Sequence, residues 1–362
     1  GRVLDGGVVT DPRNMVLYLD VPSHSRTRAI ARAVNSKFSR QSVDRSDTAV
    51  GRTDEIVELY IPSRFRDETE RFLQLIRHTR IDQRNPESWA VRYVRALKQY
   101  PELAESLSWC LQALGDIAIP QVQTMYDYTE ISPRMAALQA GAHLGDPAVR
   151  PYLQDVAING PPGMRPAAIE LLGQLPPDAA VNRFLRDLLD TQAVEVRVAA
   201  YEALYTRGDP WVESHRINGK FELHTVPSAD PLIYVTQTGA PKVVVFGDAL
   251  RIERPVFVSA WEDRFIVNAE SAAPTVNVYY RDVNAEKHTG QVSPDIVSLV
   301  RYLGHETTPE SPAPGLDFTY SKIVNALQEL ADGGGFDATI YPERDLLTLR
   351  LLRANQIADV QD

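Results

Sequence analysis

A repeat with a period near 31 residues constrains this chain more than any other feature. Four aspartates mark it at spacings of 30, 32 and 31 residues, namely Asp116, Asp146, Asp178 and Asp209. Alanine pairs precede three of them, at Ala136-Ala137, Ala167-Ala168 and Ala199-Ala200. Such a period predicts stacked helical hairpins, because one unit is too small to bury its own apolar face. The sequence therefore predicts a helical array over residues 87–214.

An arginine stands two residues ahead of each alanine pair, at Arg134, Arg165 and Arg197. Small side chains suit positions where neighbouring helices approach closely. The Gly-Asp or Pro-Asp step after each segment predicts that one helix ends there and that the aspartate caps the next. These segments resemble HEAT-type repeats of a short, alanine-rich variety. Four copies are legible, and residues 88–100 fit a degenerate fifth copy that caps the array.

Residues 1–86 carry the pattern of a small mixed module. Apolar side chains alternate over 15–21, which is the period of a strand, and then recur at helical spacing over 30–38. Polar residues over 39–54 predict a loop or a hairpin. A second strand is predicted at 56–61, with a helix after it. The result is a β-α-β-α module.

Residues 215–342 predict a β-rich domain. Six runs of apolar or β-branched residues predict strands, at 220–226, 232–236, 242–246, 256–261, 265–268 and 275–280. Helices at 294–303 and 321–332 and a short strand at 337–341 follow, and the tail over 343–362 is predicted to be helical and partly frayed. The fold class is thus multidomain α+β, with the β-α-β-α module, an all-α HEAT-like solenoid and a β-rich domain with two C-terminal helices.

The charge of the chain is unevenly distributed. Residues 1–86 contain 15 basic and 12 acidic residues, a balance of +3, and the remainder contains 23 and 36, a balance of −13. Basic residues do not cluster with interleaved aromatic residues, so nucleic-acid binding is not expected. No apolar run reaches the ~20 residues of a membrane-spanning helix. The single cysteine, Cys110, lies in an apolar stretch and is interpreted as a buried structural thiol.

Motifs for catalysis are missing from the sequence. The seven histidines and one cysteine show no metal-ligand spacing, and neither a GxSxG elbow nor a Walker phosphate loop occurs. Gly333–Gly335 is interpreted as a helix stop. The carboxylate pairs Asp54-Glu55 and Glu262-Asp263 are interpreted as solvated turn residues. Five arginines are interpreted as a solvated or partner-facing surface, namely Arg26, Arg28, Arg32, Arg40 and Arg45. We therefore predict no enzymatic activity, no cofactor and no catalytic or metal-binding residue.

Both ends of the chain resemble the flagellar basal-body P-ring protein family. Residues 12–81 are similar to the middle of that family, through RAIARAVNSKF (28–38) and EIVELYIPSRFRDETERFLQLI (55–76). Residues 237–268 and 295–340 are similar to its closing segments. The positions that carry the last match are Leu299, Val300, Arg301, Leu303, Gly304, Thr308, Pro309, Ile323, Leu327 and Ala338.

This resemblance implies a periplasmic structural subunit. Many copies would associate into a ring that acts as a bushing around the flagellar rod, with the rod, outer-ring proteins and peptidoglycan as partners. The family's N-terminal portion has no counterpart here, as expected for a fragment, and the cysteine pair frequent in its closing region is absent. Ordinary members also lack the array. We therefore expect the array to be an inserted arm with few contacts to either α/β end.

Two other functions remain open at this point. A generic HEAT-repeat scaffold, unrelated to motility, would bind a partner along the array. A hydrolase of cell-wall glycan would need two carboxylates about 5–10 Å apart across a cleft, and the sequence indicates no such pair.

Overall fold

The computed structural model describes residues 15–66, 68–247, 250–282 and 286–343. The described residues contain α-helices and three β-sheets, which confirms the α+β class. They form two compact units, an N-terminal unit up to Val181 and a C-terminal unit from Asn182 onward. The boundary between the units falls within the predicted array. The tail predicted to be helical lies outside the described residues from 344 onward.

The N-terminal unit begins with a small antiparallel sheet and two helices. Its elements are β1 (Met15–Tyr18), α1 (His24–Lys37), β2 (Ala49–Gly51), β3 (Ile56–Leu59) and α2 (Thr69–His78), and the sheet order is β1-β3-β2. The polar segment 39–54, which was predicted to be a loop or a hairpin, therefore contains a short strand, β2. Phe38, Phe65 and Phe72 pack at centroid distances of 5.3–5.6 Å and form the centre of this core.

Helices fill the predicted repeat region. They are α3 (Pro86–Gln99), α4 (Ala104–Leu114), α5 (Ile119–Gln123), α6 (Ile131–His143), α7 (Arg150–Asn159), α8 (Arg165–Gln174), α9 (Ala179–Asp187) and α10 (Val194–Thr206). The second alanine of each pair is fully buried, at Ala137, Ala168 and Ala200. Helix α8 packs on α6 and on α7. Ala137 and Ala168 thus lie on helices that pack on one another, as the spacing predicted.

The repeat aspartates were predicted to cap the helix that follows, and the structure confirms this for Asp146 and Asp178, whereas Asp209 caps a turn that leads into a strand. Asp146 Oδ1 accepts the backbone N–H of Ala148 at 3.0 Å, and Asp178 Oδ1 accepts that of Ala180 at 2.8 Å. Asp209 Oδ1 accepts the N–H of Trp211 at 3.0 Å. Each carboxylate therefore satisfies a donor that a helix or turn start leaves without an internal partner.

The same aspartates also accept side-chain donors from upstream in the chain. Asp146 Oδ2 accepts from Gln123 Nε2 at 2.9 Å and from the Tyr126 hydroxyl at 2.8 Å. Asp178 Oδ2 accepts from Arg150. Asp209, whose side chain is fully buried, accepts from Arg186 and Asn182. Each of these three aspartates thus connects its turn to a segment that lies one helix further upstream in the chain.

The repeat arginines are placed by a second shared contact. Arg134 Nε donates to the Tyr126 carbonyl at 2.8 Å, and Arg165 Nε donates to the Gly160 carbonyl at 2.7 Å. Arg197 Nε donates to the Leu189 carbonyl at 2.9 Å. Each arginine therefore satisfies a carbonyl in the connection that leads into its own helix.

The C-terminal unit contains two sheets and two helices besides α10. Its strands are β4 (Glu213–Ile217), β5 (Phe221–Val226), β6 (Leu232–Val235), β7 (Lys242–Phe246), β8 (Val256–Ala260), β9 (Phe265–Ala269), β10 (Val276–Arg281), β11 (Lys287–Val292) and β12 (Thr339–Pro342). Its helices are α11 (Ile296–Gly304) and α12 (Tyr320–Asp332). The sheet orders are β12-β6-β7-β5-β4 and β11-β10-β9-β8. One continuous core joins both sheets with α11 and α12.

Helix α10 covers the remaining face of the five-stranded sheet. Tyr201 of α10 lies edge-on to Phe246 and Tyr234, with centroid distances of 5.8 and 6.1 Å. Buried Arg197 binds Asp230 and Ser228, which lie in the loop after β5. Because both faces are covered, β7 is a nearly continuous apolar run rather than an alternating one.

The array is not a free arm, so the expectation of few contacts with either α/β end is wrong. In the N-terminal unit, Trp109 and Ala113 of α4 pack against the module core, and Arg71 of α2 donates to the His143 carbonyl at 3.2 Å. In the C-terminal unit, α10 packs on the sheet through Tyr201. The physical reason is burial, since a three-stranded sheet with two helices is too small to enclose its own apolar residues.

Overpacking the alanine positions tests the packing of the array. Ala168→Leu and Ala200→Leu are each expected to lower the free energy of unfolding by about 1–3 kcal/mol, because both side chains are fully buried. Ala167→Leu and Ala199→Leu are matched controls, since these neighbours are only half-buried. Chemical denaturation measures the free energy of unfolding of each variant. Equal losses in Ala168→Leu and Ala167→Leu, and in Ala200→Leu and Ala199→Leu, would contradict the packing.

The aspartates provide a second matched comparison. Asp209→Ala is expected to cost about 3 kcal/mol of unfolding free energy, because it leaves Arg186 and Asn182 without their shared buried acceptor. Asp178→Ala is expected to cost clearly less, since its ion pair with Arg150 is substantially exposed. Urea titration of both variants measures the two losses of unfolding free energy. A larger loss for Asp178→Ala would show that burial does not determine how much each aspartate contributes.

Candidate interaction surface

The residues that the sequence singled out lie apart from one another in the fold. Gly333 is the C-cap of α12, which confirms the interpretation of the glycine run as a helix stop. The five arginines of the N-terminal segment are exposed, as are Glu262 and Asp263 in the turn between β8 and β9. Cys110 is partly buried, and burial raises the pKa of its thiol. None of these groups joins another in a cluster.

A cluster that the sequence analysis missed lies at the end of the β10–β11 hairpin. The carboxylates of Asp282 and Glu286 and the imidazole of His288 offer ligand atoms within 4.8 Å of one another. Asp282 Oδ1 also accepts the backbone N–H of Glu286 at 2.8 Å, and His288 stacks on Tyr280 at 6.1 Å. Both contacts belong to the hairpin itself, so the geometry is explained without an ion.

His224 lies in a buried chain of polar contacts. Its Nδ1 is 2.7 Å from the Tyr201 hydroxyl and its Nε2 is 3.1 Å from Glu222 Oε2. Burial lowers the pKa of His224 and raises the pKa of the Tyr201 hydroxyl. Since Tyr201 and His224 are both fully buried, this chain fixes α10 on the sheet and offers no exposed nucleophile.

The outer face of the four-stranded sheet presents exposed side chains in a regular arrangement. In β8, side chains alternate strictly between buried and exposed, and Phe257 is 71% exposed. In β10, Asn277 is exposed between the buried Val276 and Val278. Every second side chain along these strands therefore faces outward.

Register aligns three amides across this face. Asn268 of β9 pairs with Asn277 of β10, which pairs with Gln291 of β11. Asn277 Nδ2 donates to Asn268 Oδ1 at 3.1 Å, and Gln291 Nε2 donates to Asn277 Oδ1 at 3.2 Å. Each amide is thus oriented by its neighbour, so the row is held in one conformation before any partner binds.

Apolar groups flank the amide row. Phe257 lies opposite Asn268 at one end of it, and Tyr279 lies opposite Ile266 in the next row. We define the outer sheet face as Phe257, Ile266, Asn268, Asn277, Tyr279 and Gln291. It combines an exposed aromatic ring, uncharged polar groups and a rigid backbone, which is the composition of a protein interface.

His143 predicts a pH dependence of the N-terminal unit. Burial, with a smaller contribution from Arg71, lowers the pKa of His143 to about 4, and its ring stacks on Trp109. In the unfolded chain this imidazole titrates near the ordinary value of about 6.5. Between these values the unfolded state binds more protons, so stability falls as the pH decreases from about 6.5 to about 4.

The test compares His143→Gln with the parent chain. The urea midpoint of the parent is expected to decrease between pH 7 and pH 4.5, and the decrease is expected to be smaller in the variant. A constant loss at all pH values would reflect only the missing stacking contact. Equal slopes in the two proteins would contradict the lowered pKa.

Comparisons with known proteins return no relatives. No protein-family model, curated protein or solved structure matches the chain. Across the described residues, every helix is too short or too polar to cross a bilayer. The geometry of the outer sheet face therefore carries the functional argument.

Proposed function

We propose that the chain is a structural subunit that self-associates into a periplasmic ring of the kind formed by the flagellar P-ring protein. The observation that carries the proposal is Phe257, which is 71% exposed on a rigid sheet beside a prearranged amide row. Burying such a side chain contributes about 1.5–3 kcal/mol. Aromatic residues such as Phe are enriched in protein interfaces relative to the rest of the surface.

Preorganisation strengthens this argument. Ordering a mobile polar side chain at an interface costs about 0.5–1.5 kcal/mol. Asn268, Asn277 and Gln291 already hold one another in place, so little of this cost remains when a partner covers them. Their free amide groups can then bind a neighbouring backbone or polar side chain directly.

A ring needs a second, different surface on each subunit, because only head-to-tail contacts close by rotation. The N-terminal module supplies a candidate, since it exposes Tyr18 (73%) and Val21 (60%). Residues 1–86 carry a balance of +3 and the remainder −13. We propose that the outer sheet face of one copy contacts the N-terminal module of the next, aided by this charge difference.

The resemblance extends the proposal to location and partners. Strands β8 and β9, which carry Phe257 and Asn268, lie within the segment 237–268 that is similar to the P-ring family. The proposal therefore includes contacts with the flagellar rod, outer-ring proteins and peptidoglycan, and a purely structural role without catalysis. In fold terms it includes a β-α-β-α module, a HEAT-like solenoid and a β-rich domain.

The alternative is an interaction scaffold unrelated to motility, in which the helical array binds a partner. Tyr100 and Leu103, between α3 and α4, favour it because they are 50% and 48% exposed on the array. A scaffold of this kind does not need to self-associate. The association state of the chain therefore discriminates between the two functions.

Sedimentation velocity tests the proposal. The chain is expected to form oligomers whose weight-average mass rises with concentration and falls between 0.05 and 0.5 M NaCl, because exposed charges are screened over about 8 Å near physiological salt. Phe257→Glu is expected to weaken association at least tenfold. Ile158→Glu is the matched control, since Ile158 is also exposed (52%) but lies at the end of α7. A salt-independent monomer, or equal behaviour of both variants, would reject the proposal.

A further inference from the structure

A cleft of about 260 Å³ lies in the N-terminal unit where four helices meet. The last residues of α1, α2 and α4 form three sides, and the first turn of α3 forms the fourth. The side chains that matter for its chemistry are Lys37, His78, Arg80, Asp82 and Trp89. The proposed ring contacts make no use of these residues.

Lys37 brings a partly desolvated ammonium group to the cleft. Burial lowers its pKa, although Asp116 acts in the opposite direction. Its Nζ donates to the Gln112 carbonyl at 3.1 Å, near the end of α4. This contact satisfies one of three N–H donors, and no carboxylate among the described residues lies within ion-pair distance of it.

Arg80 brings a second cation without a carboxylate partner in the described chain. Its guanidinium lies over the Trp89 ring at 3.3 Å from the centroid, and NH1 donates to the Tyr93 hydroxyl at 3.4 Å. Its Nε is buried and has no acceptor among the described residues. Leaving such a donor without an acceptor costs about 1–3 kcal/mol, or more for a charged group.

His78 contributes a third donor or acceptor. Its Nδ1 is 2.7 Å from the Gln74 carbonyl, so Nδ1–H donates and Nε2 is left for another group. The acid in the cleft wall, Asp82, is bound mainly by Arg84, and Arg80 makes a smaller electrostatic contribution to it. Asp82 accepts two hydrogen bonds from Arg84 at 2.9 Å, and these contacts lower its pKa to about 2.

Helix ends explain only part of this arrangement. The C-termini of α1, α2 and α4 each carry roughly half a negative charge, and cations are favoured beside them. Lys37 donates a hydrogen bond to the Gln112 carbonyl and so stabilises the C-terminus of α4. Arg80 has no such carbonyl contact, and its partners are a phenol and an indole ring. Lys37 and Arg80 therefore keep N–H donors that have no acceptor among the described residues, including the buried Nε of Arg80.

We propose that this cleft binds the phosphate group of a small phosphorylated ligand. The shared chemistry is a tetrahedral oxyanion with up to two negative charges, which accepts from Lys37, from Arg80 and, in its imidazolium form, from Nε2 of His78. A doubly charged phosphate is favoured over a singly charged carboxylate because two cations, Lys37 and Arg80, line the cleft without an ion-pair partner among the described residues. Inorganic phosphate and a phosphate monoester carry the same group, and the experiment distinguishes them.

Isothermal titration with sodium phosphate, at constant ionic strength set by sodium chloride, is the direct test. Saturable binding of inorganic phosphate is expected, and glycerol 3-phosphate is expected to bind more tightly if a monoester is the natural ligand. Arg80→Gln and His78→Ala are each expected to weaken binding about tenfold or more, because each removes a hydrogen bond to a charged group. His78 tests the site even where the Arg80 variant folds poorly.

Arg92→Gln is the matched control. Arg92 also lies over the Trp89 ring, at 4.6 Å, but it is not part of the cleft wall. This variant loses the same charge close to the cleft and is expected to bind phosphate as the parent does. Absence of saturable phosphate binding, or equal losses in Arg92→Gln and His78→Ala, would overturn the proposal. The ring proposal is tested by sedimentation and the phosphate site by titration, so each proposal can fail without the other.

Discussion

The carboxylates of Asp146, Asp178 and Asp209 each join two parts of the chain that are separated by one intervening helix, and the packing of the array depends on these contacts. One oxygen of Asp146 caps the turn that starts at Pro147, while the other binds Gln123 and Tyr126. A helix start exposes N–H groups that need an acceptor, and a helix packed beside it needs a fixed orientation. A buried two-oxygen acceptor meets both needs at one position, which alanine or leucine cannot do.

This arrangement also explains what the sequence could reveal about the array. The acceptors recur at a nearly constant spacing, so the aspartates predicted the period and the caps. The donors differ in type and lie 20 to 28 residues upstream, as Gln123, Tyr126, Arg150 and Arg186 illustrate. A contact made by unlike donors at unlike distances leaves no periodic signal, and only the folded chain shows it.

Elsewhere, strands with an apolar pattern were predictable, including the edge strand β8, and polar edge strands were not. Strands β7, β8 and β9 carry apolar runs or alternation because neighbours cover them. By contrast, β4 and β11 are polar and form the outer edges of their sheets. Polar and charged residues protect a sheet edge from pairing with another chain, and they also remove the hydrophobic pattern. The amide row was hidden for this reason, since Gln291 lies on β11 and its alignment with Asn277 depends on hairpin register.

The cleft could not be predicted because it exists only when the array and the module pack together. Lys37 ends a module helix and its acceptor, Gln112, lies near the end of α4 in the array. Helix α4 also supplies Trp109 to the module core. The array therefore completes the module instead of projecting from it, and one interface provides both burial and the cleft wall. Because a ligand that binds only the folded form stabilises that form, phosphate in this cleft would stabilise the contact between the module and the array, which Lys37 already bridges.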